Sequence, residues 1–189
     1  MELSKLKQEI LDKEDKRTVV MASSAAGKTR LITEKTRRLL RKGINPREIA
    51  VITFTNMAAE ELRSRLGEDY KDGIFIGTIH SLANFFLLSN GIDTSKVINA
   101  EKFDKLFAMV KSNPDCIKKL DYILLDEAQD SDDLQFSFLF DMINPENFFV
   151  VGDLKQCQPA GTRIMLRNNI EKKIEDILRY STFTNQCSI

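Results

Sequence analysis

The chain is poor in several features that mark common functional classes. Its 28 Lys and Arg balance 28 Asp and Glu, so no global basic surface marks it for nucleic acid. That neutrality excludes little, because a local groove can grip a strand with a few Lys, Arg and aromatic side chains. Cysteine is scarce. Cys116, Cys157 and Cys187 form an odd and widely spaced set that suits neither a disulfide framework nor a zinc ribbon. The apolar runs are far too short to cross a bilayer, so no membrane partner is expected. Met1-Glu2-Leu3-Ser4-Lys5 has no signal-peptide pattern, which makes the cytoplasm the expected compartment. There is one histidine, His80.

What is present reads as a globular chain. A length of 189 residues with 42% apolar content suits one good core and a small appendage. Helical periodicity runs over residues 3–11, where Leu3, Leu6, Ile10 and Leu11 repeat on one face. Strands are expected at 18–21, 49–54, 73–78, 122–125 and 148–151. Helices are expected at 29–40, 57–66, 81–88 and 134–143. Residues 100–119 read as an amphipathic helix broken near Asn113-Pro114. Strands alternating with helices predict an α/β fold, a parallel sheet flanked by helices on both faces. Ligands of such sheets bind beyond the carboxyl ends of the strands.

Two motifs fall at those ends. Val19-Val20-Met21 runs into Ala22-Ser23-Ser24-Ala25-Ala26-Gly27-Lys28-Thr29, which ends as a phosphate-binding loop does. Such a loop offers backbone N–H groups and a helix N-terminus to phosphate, a Lys charge, and a Thr hydroxyl for Mg²⁺. Glycine is usual where Ala22 stands, although the small residues 23–26 still permit close backbone approach. The second motif is Ile123-Leu124-Leu125-Asp126-Glu127-Ala128-Gln129-Asp130. Asp126 is placed to reach Mg²⁺, and Glu127 to orient and deprotonate an attacking water. Asp132 and Asp133 read more simply as acidic residues at a helix start.

Asp126-Glu127-Ala128-Gln129-Asp130 resembles motif II of superfamily 1 helicases of the UvrD/Rep type. Ile52-Thr53-Phe54-Thr55-Asn56-Met57-Ala58-Ala59 resembles motif Ia of that family, with Met57 where Lys is common. Gly77-Thr78-Ile79-His80-Ser81-Leu82-Ala83 resembles motif Ib, and Val150-Val151-Gly152-Asp153-Leu154-Lys155-Gln156 motif III. The resemblance covers residues 3–156 and implies a RecA-like P-loop NTPase domain. By motif position, the nucleotide would be held by Gln8, which would read adenine, and by Ala22, Ser23, Ser24, Ala25, Ala26, Gly27, Lys28, Thr29 and Arg30. Thr29 and Asp126 would hold Mg²⁺. Lys28, Glu127 and Gln156 would be catalytic, Gln156 as the γ-phosphate sensor. Phe54, Thr55, Asn56, Thr78 and His80 would contact single-stranded DNA. Phe54 fits either a stacking platform or a core aromatic at a strand end, and His80 either a DNA contact or a helix cap. The family's insertion between motifs Ib and II would be reduced here to a few helices around 84–120.

The resemblance stops after Gln156. Cys157-Gln158-Pro159-Ala160-Gly161-Thr162, a strand, a turn and Ile174-Glu175-Asp176-Ile177 look like the opening block of an intein. Its initial Cys would attack the Gln156 carbonyl to give a thioester. Residues 157–189 would then be the N-terminal fragment of a split intein, a short β-containing appendage to the 1–156 domain. The partner would be a second polypeptide carrying the remaining intein and the second helicase domain. Three functions therefore stand: the ATP-binding half of a DNA helicase using ATP and Mg²⁺, a trans-splicing precursor, and a nucleotide- or DNA-binding module without hydrolysis. Lacking the second domain's arginines, the chain alone is expected to bind ATP weakly and turn it over very slowly.

Overall fold

In a computed structural model, the structure describes residues 4–13, 16–22, 27–70 and 73–153, and the backbone of 163–166 and 170–173. Five strands form one sheet: β1 (Arg17–Ala22), β2 (Ile49–Ile52), β3 (Phe75–Gly77), β4 (Tyr122–Leu125) and β5 (Asn147–Asp153). All pairings are parallel and the order is β1-β5-β4-β2-β3. The strands are near-continuous Ile, Val, Leu and Phe because a parallel sheet is covered on both faces. The expected α/β architecture is the one the chain adopts.

Successive residues of a strand point to opposite faces, and the core divides accordingly. One face carries Ala50, Ile52, Ile123, Leu125, Phe148 and Val150. These pack beneath α4 (Ile79–Ser89), α6 (Lys105–Ser112) and a wide turn of π-type winding, Phe138–Ile143. Phe86, Phe107 and Phe138 are fully buried here, each contributing about 2–3 kcal/mol of burial. The other face carries Ile49, Val51, Leu124, Phe149 and Val151 beneath α1 (Lys5–Asp12), α2 (Lys28–Arg41) and α3 (Asn56–Leu66).

Local chemistry sets the helix ends near the site. Gly27 has φ 75°, a left-handed conformation that glycine adopts without steric cost, and α2 starts at the next residue. The Thr55 side chain accepts from the Ala58 N–H and caps α3. Thr78 and Ser81 form a reciprocal capping box at the start of α4. Asp132 caps α7 (Asp133–Ser137) by accepting from the Gln135 N–H at 2.8 Å, as expected of an acidic residue at a helix start.

Three segments differ from expectation. Residues 100–119 are not one broken helix. Helix α5 (Ser95–Asn99) ends before Glu101, whose φ of 53° is incompatible with helix, and α6 stops ahead of Pro114. The expected helix at 134–143 is the short α7 followed by the π-wound turn, closed by Asn144 at φ 46°. Strand β5 runs two residues further than expected, to Asp153, which carries that carboxylate into the site. Beyond 162, β6 (Arg163–Leu166) and β7 (Ile170–Lys173) form a separate antiparallel pair.

Candidate active site

The carboxyl ends of β1, β4 and β5 lie side by side, with Ala22 of β1 in register with Asp153 of β5. Lys28 opens α2 directly above them, its side chain 4% exposed. Its Nζ lies 3.0 Å from Glu127 Oε2 and 3.2 Å from Asp153 Oδ2. Burial draws the Lys28 pKa down, but the hydrogen bonds and charges of Glu127 and Asp153 outweigh it, and the net shift is upward. The ammonium therefore stays charged in a place where an unpaired charge would be costly.

Asp126 is buried behind this group. Its Oδ1 accepts the Glu127 N–H at 3.0 Å, and the Thr29 hydroxyl also bonds its carboxylate. Burial is the main force raising the Asp126 pKa, followed by the charge of Glu127. The Glu127 N–H, Thr29 and Lys28 pull it back only in part. The charged form is thus the one the fold penalises; the penalty builds as pH rises past the ordinary Asp value of 3.8 and is complete above the folded-state pKa. Asp126→Asn should raise the melting temperature of the nucleotide-free chain at neutral pH. That gain should vanish below the ordinary Asp value of 3.8. Thermal denaturation at the two pH values checks it, and equal or lower stability at neutral pH would contradict the account.

Glu127 is held in a strained backbone conformation. Its φ of 51° is left-handed, costing roughly 1–2 kcal/mol for a residue with a Cβ. The turn it makes is closed by the Asp130 N–H on the Glu127 carbonyl at 3.0 Å. The adjacent Thr29 hydroxyl and buried Asp126 carboxylate are hard oxygen donors suited to Mg²⁺, which takes few protein ligands and keeps water or phosphate oxygens for the rest. Gly27 and the N-terminus of α2 supply the matching seat for an anion. The residues present fit a magnesium nucleotide.

A cavity of about 180 Å³ opens on the β2 side of Asp126. Thr53, Phe54, Thr78, His80, Asp126 and Gln135 are among its lining residues, so Asp126 both lines the cavity and bonds Thr29. Phe54 is 55% exposed, which removes the core alternative for it. Thr55 caps α3 and Asn56 begins that helix in an exposed position. His80 is not the cap of α4, a part taken by Thr78. Its Nε2 lies 3.0 Å from Asp104 Oδ1, and its ring stacks on Phe107 with centroids 4.9 Å apart.

The structure thus gathers Lys28, Thr29, Asp126 and Glu127, and separately Phe54, Thr78 and His80. Gln8 lies on the exposed side of α1, Ala22 ends β1, and Arg30 is in the first turn of α2. Ser23, Ser24, Ala25, Ala26, Gln156 and Cys157 lie outside the described residues. Three residues near the site carried no role in the sequence reading. Asp153 is the second partner of Lys28, Gln129 bridges Glu127 and β5, and Lys7 Nζ would sit 3.4 Å from a Cβ placed on Gly27. Asp153 and Gln129 were visible as acidic and amide members of their motifs; nothing in the sequence marks Lys7.

Comparison with known proteins agrees with this geometry. The family model described as the UvrD/REP helicase N-terminal domain matches residues 3–113 and 100–157. The chain is 42% identical over 69 residues to the ATP-dependent DNA helicase Rep of Escherichia coli, covering 34% of this chain and 10% of Rep. It is 34% identical over 112 residues to the ATP-dependent DNA helicase SRS2 of Saccharomyces cerevisiae, 52% of this chain and 10% of that protein. With a DNA helicase II homolog of Mycoplasma capricolum it shares 25% identity over 269 positions, 93% of this chain and 36% of that protein. Since 269 positions exceed the whole chain, that relative carries residues within the aligned stretch that are missing here. The chain spans about a third or less of these relatives. No helix among the described residues is long and apolar enough to cross a membrane. On its sequence matches, its parallel sheet and the motifs at the strand ends, the chain belongs to the UvrD/REP helicase N-terminal domain family.

Proposed function

We propose that the chain is the N-terminal, ATP-binding half of an ATP-dependent DNA helicase or translocase, its motor domain spanning 1–156 with a reduced insertion around 84–120. The observation that carries this reading is the buried Lys28 held between two carboxylates, with Thr29 and Asp126 alongside, at the carboxyl end of a parallel sheet. Bound Mg²⁺ would neutralise charge on the phosphates. Thr29 and Asp126 would hold that ion, and the residues from Ala22 to Arg30 would face the phosphates. Lys28 exchanges its carboxylate partners for phosphate oxygens, which frees Glu127 to take a proton from water. Gln156, three residues past the end of β5, reads the state of the γ-phosphate, and Gln8 reads adenine.

Single-stranded DNA lies across the cavity at Phe54, with Thr55, Asn56 and Thr78 toward its backbone. His80, tied to Asp104, forms the wall on that side. An exposed aromatic at the edge of a cavity is the arrangement that stacking on a base requires. Phe54→Ala should weaken affinity for an oligothymidine by about 5- to 150-fold. Stability should change by less than about 0.5 kcal/mol, because the ring is surface. Fluorescence anisotropy and thermal denaturation on the same samples test this pair. Unchanged affinity would remove Phe54 from the DNA path.

A second reading concerns residues 157–189. The family match ends at 157, and an antiparallel strand pair follows, 163–166 with 170–173, as the start of an intein would give. Cys157 Sγ would attack the Gln156 carbonyl; the C–N bond breaks, a thioester forms, and the freed amine of Cys157 takes up the thiol proton. A second polypeptide would carry the remaining intein and the second helicase domain. The 93% alignment runs past Cys157, as an uninterrupted helicase would. Mass spectrometry after mixing the chain with the product of an adjacent reading frame separates the two. Splicing gives a ligated product that Cys157→Ala abolishes; ligation that survives the substitution, or never occurs, removes the intein reading.

A further inference from the structure

The side-chain amide of Gln129 is bonded at both ends. Its Nε2 donates to Glu127 Oε2 at 2.7 Å, the oxygen that also meets Lys28 Nζ. Its Oε1 accepts from the Asp153 N–H at 2.9 Å, at the end of β5. The second contact needs a close approach. A Cβ on Gly152 would come 3.3 Å from Gln129 Oε1 and 3.2 Å from Met21 Sδ, so glycine clears the space where the amide seats against β5. Lys28, Glu127, Gln129 and Asp153 therefore close a ring that joins α2, the turn after β4 and the end of β5.

We propose that Gln129 is a positioning residue for ATP hydrolysis, fixing the Glu127 carboxylate against the end of β5. Glu127 has a left-handed backbone that nothing in its own side chain favours, and its partner Lys28 is the group that phosphate would draw away. When Lys28 moves, Gln129 is the neutral donor that keeps Glu127 in place. The bond to the Asp153 N–H ties that position to β5, three residues before Gln156. Outer partners of this kind, which orient a reacting carboxylate without touching substrate, commonly change activity by roughly 10- to 100-fold when removed.

The proposal rests on the hydrolysis reading above, and its test separates the two. Steady-state ATP hydrolysis by the 189-residue chain is measured with Mg²⁺ over a range of ATP concentrations for wild type, Gln129→Met and Gln129→Glu. Gln129→Met loses both bonds; Gln129→Glu keeps an acceptor for the Asp153 N–H but has no donor for Glu127. Both should lose about 10- to 100-fold in kcat with the KM for ATP within about twofold of wild type. Wild-type kcat in Gln129→Glu would overturn the proposal, because the amide would then serve only β5. A rise in KM that matches the fall in kcat would overturn it as well. If wild type itself hydrolyses no ATP, it is the hydrolysis reading that fails. The contact is then read by NMR of the nucleotide-free chain, where Glu127→Ala should shift the Gln129 carboxamide resonances. An unshifted carboxamide would overturn the positioning role.

Discussion

Glu127→Gln should lower ATP turnover by about 10²- to 10⁴-fold, the usual contribution of a positioned general base. The substitution keeps the side chain's shape and can still bond Gln129, but it removes the base that water needs. Lys28 would keep Asp153 at 3.2 Å, so the fold and the phosphate seat survive. Nucleotide affinity should consequently stay within a few fold of wild type while kcat collapses. Steady-state hydrolysis with ATP in excess, followed over hours and paired with a fluorescent-nucleotide titration, measures both quantities. Turnover within tenfold of wild type would show that Glu127 is not the base. A parallel loss of affinity would mean that its main part is to hold Lys28.

The second large effect is on stability. Lys28→Ala removes the cation shared by Glu127 and Asp153, of which Asp153 has a fully buried side chain. Breaking a buried pair by deleting one partner costs about 3–5 kcal/mol. For a chain of this size that corresponds to a fall in Tm of roughly 6–20 °C. The alkaline limb supplies a second signature. Because the folded-state pKa of Lys28 lies above its ordinary 10.5, its contribution is complete at lower pH and is lost as pH rises through the folded value. The Tm gap between wild type and Lys28→Ala should be constant at neutral and mildly alkaline pH and close above 10.5. A gap near zero at neutral pH would mean that the triad adds nothing to the fold.

Much of this site was legible because its chemistry is local. Gly27-Lys28-Thr29 and Asp126-Glu127 each follow an apolar strand, and strand ends are where parallel sheets place ligands. The layers were legible for the same reason, since periodicity reports which side is covered. Long-range pairing was not. Nothing in the sequence states that β5 lies between β1 and β4, and that placement brings Asp153 to a lysine 125 residues away. Gln129 stood inside a recognised motif, yet its role depends on the same strand order. His80 fitted either a DNA contact or a helix cap in the sequence; the fold gives the cap to Thr78 and pairs His80 with Asp104 and Phe107, which no local pattern announces. The helix expected at 100–119 failed on Glu101, a residue whose identity gives no sign of a left-handed turn. Phe54 could be read either way until the cap at Thr55 and its 55% exposure fixed it at the surface.

The central claim is that Lys28, Thr29 and Asp126 form a magnesium-nucleotide site. Isothermal titration of the chain with ATP, with and without Mg²⁺, tests it most directly. The account predicts saturable one-to-one binding that Mg²⁺ strengthens, with the magnesium gain lost in Asp126→Asn while that variant remains folded. Binding that is absent, or that is indifferent to both Mg²⁺ and Asp126, would contradict it.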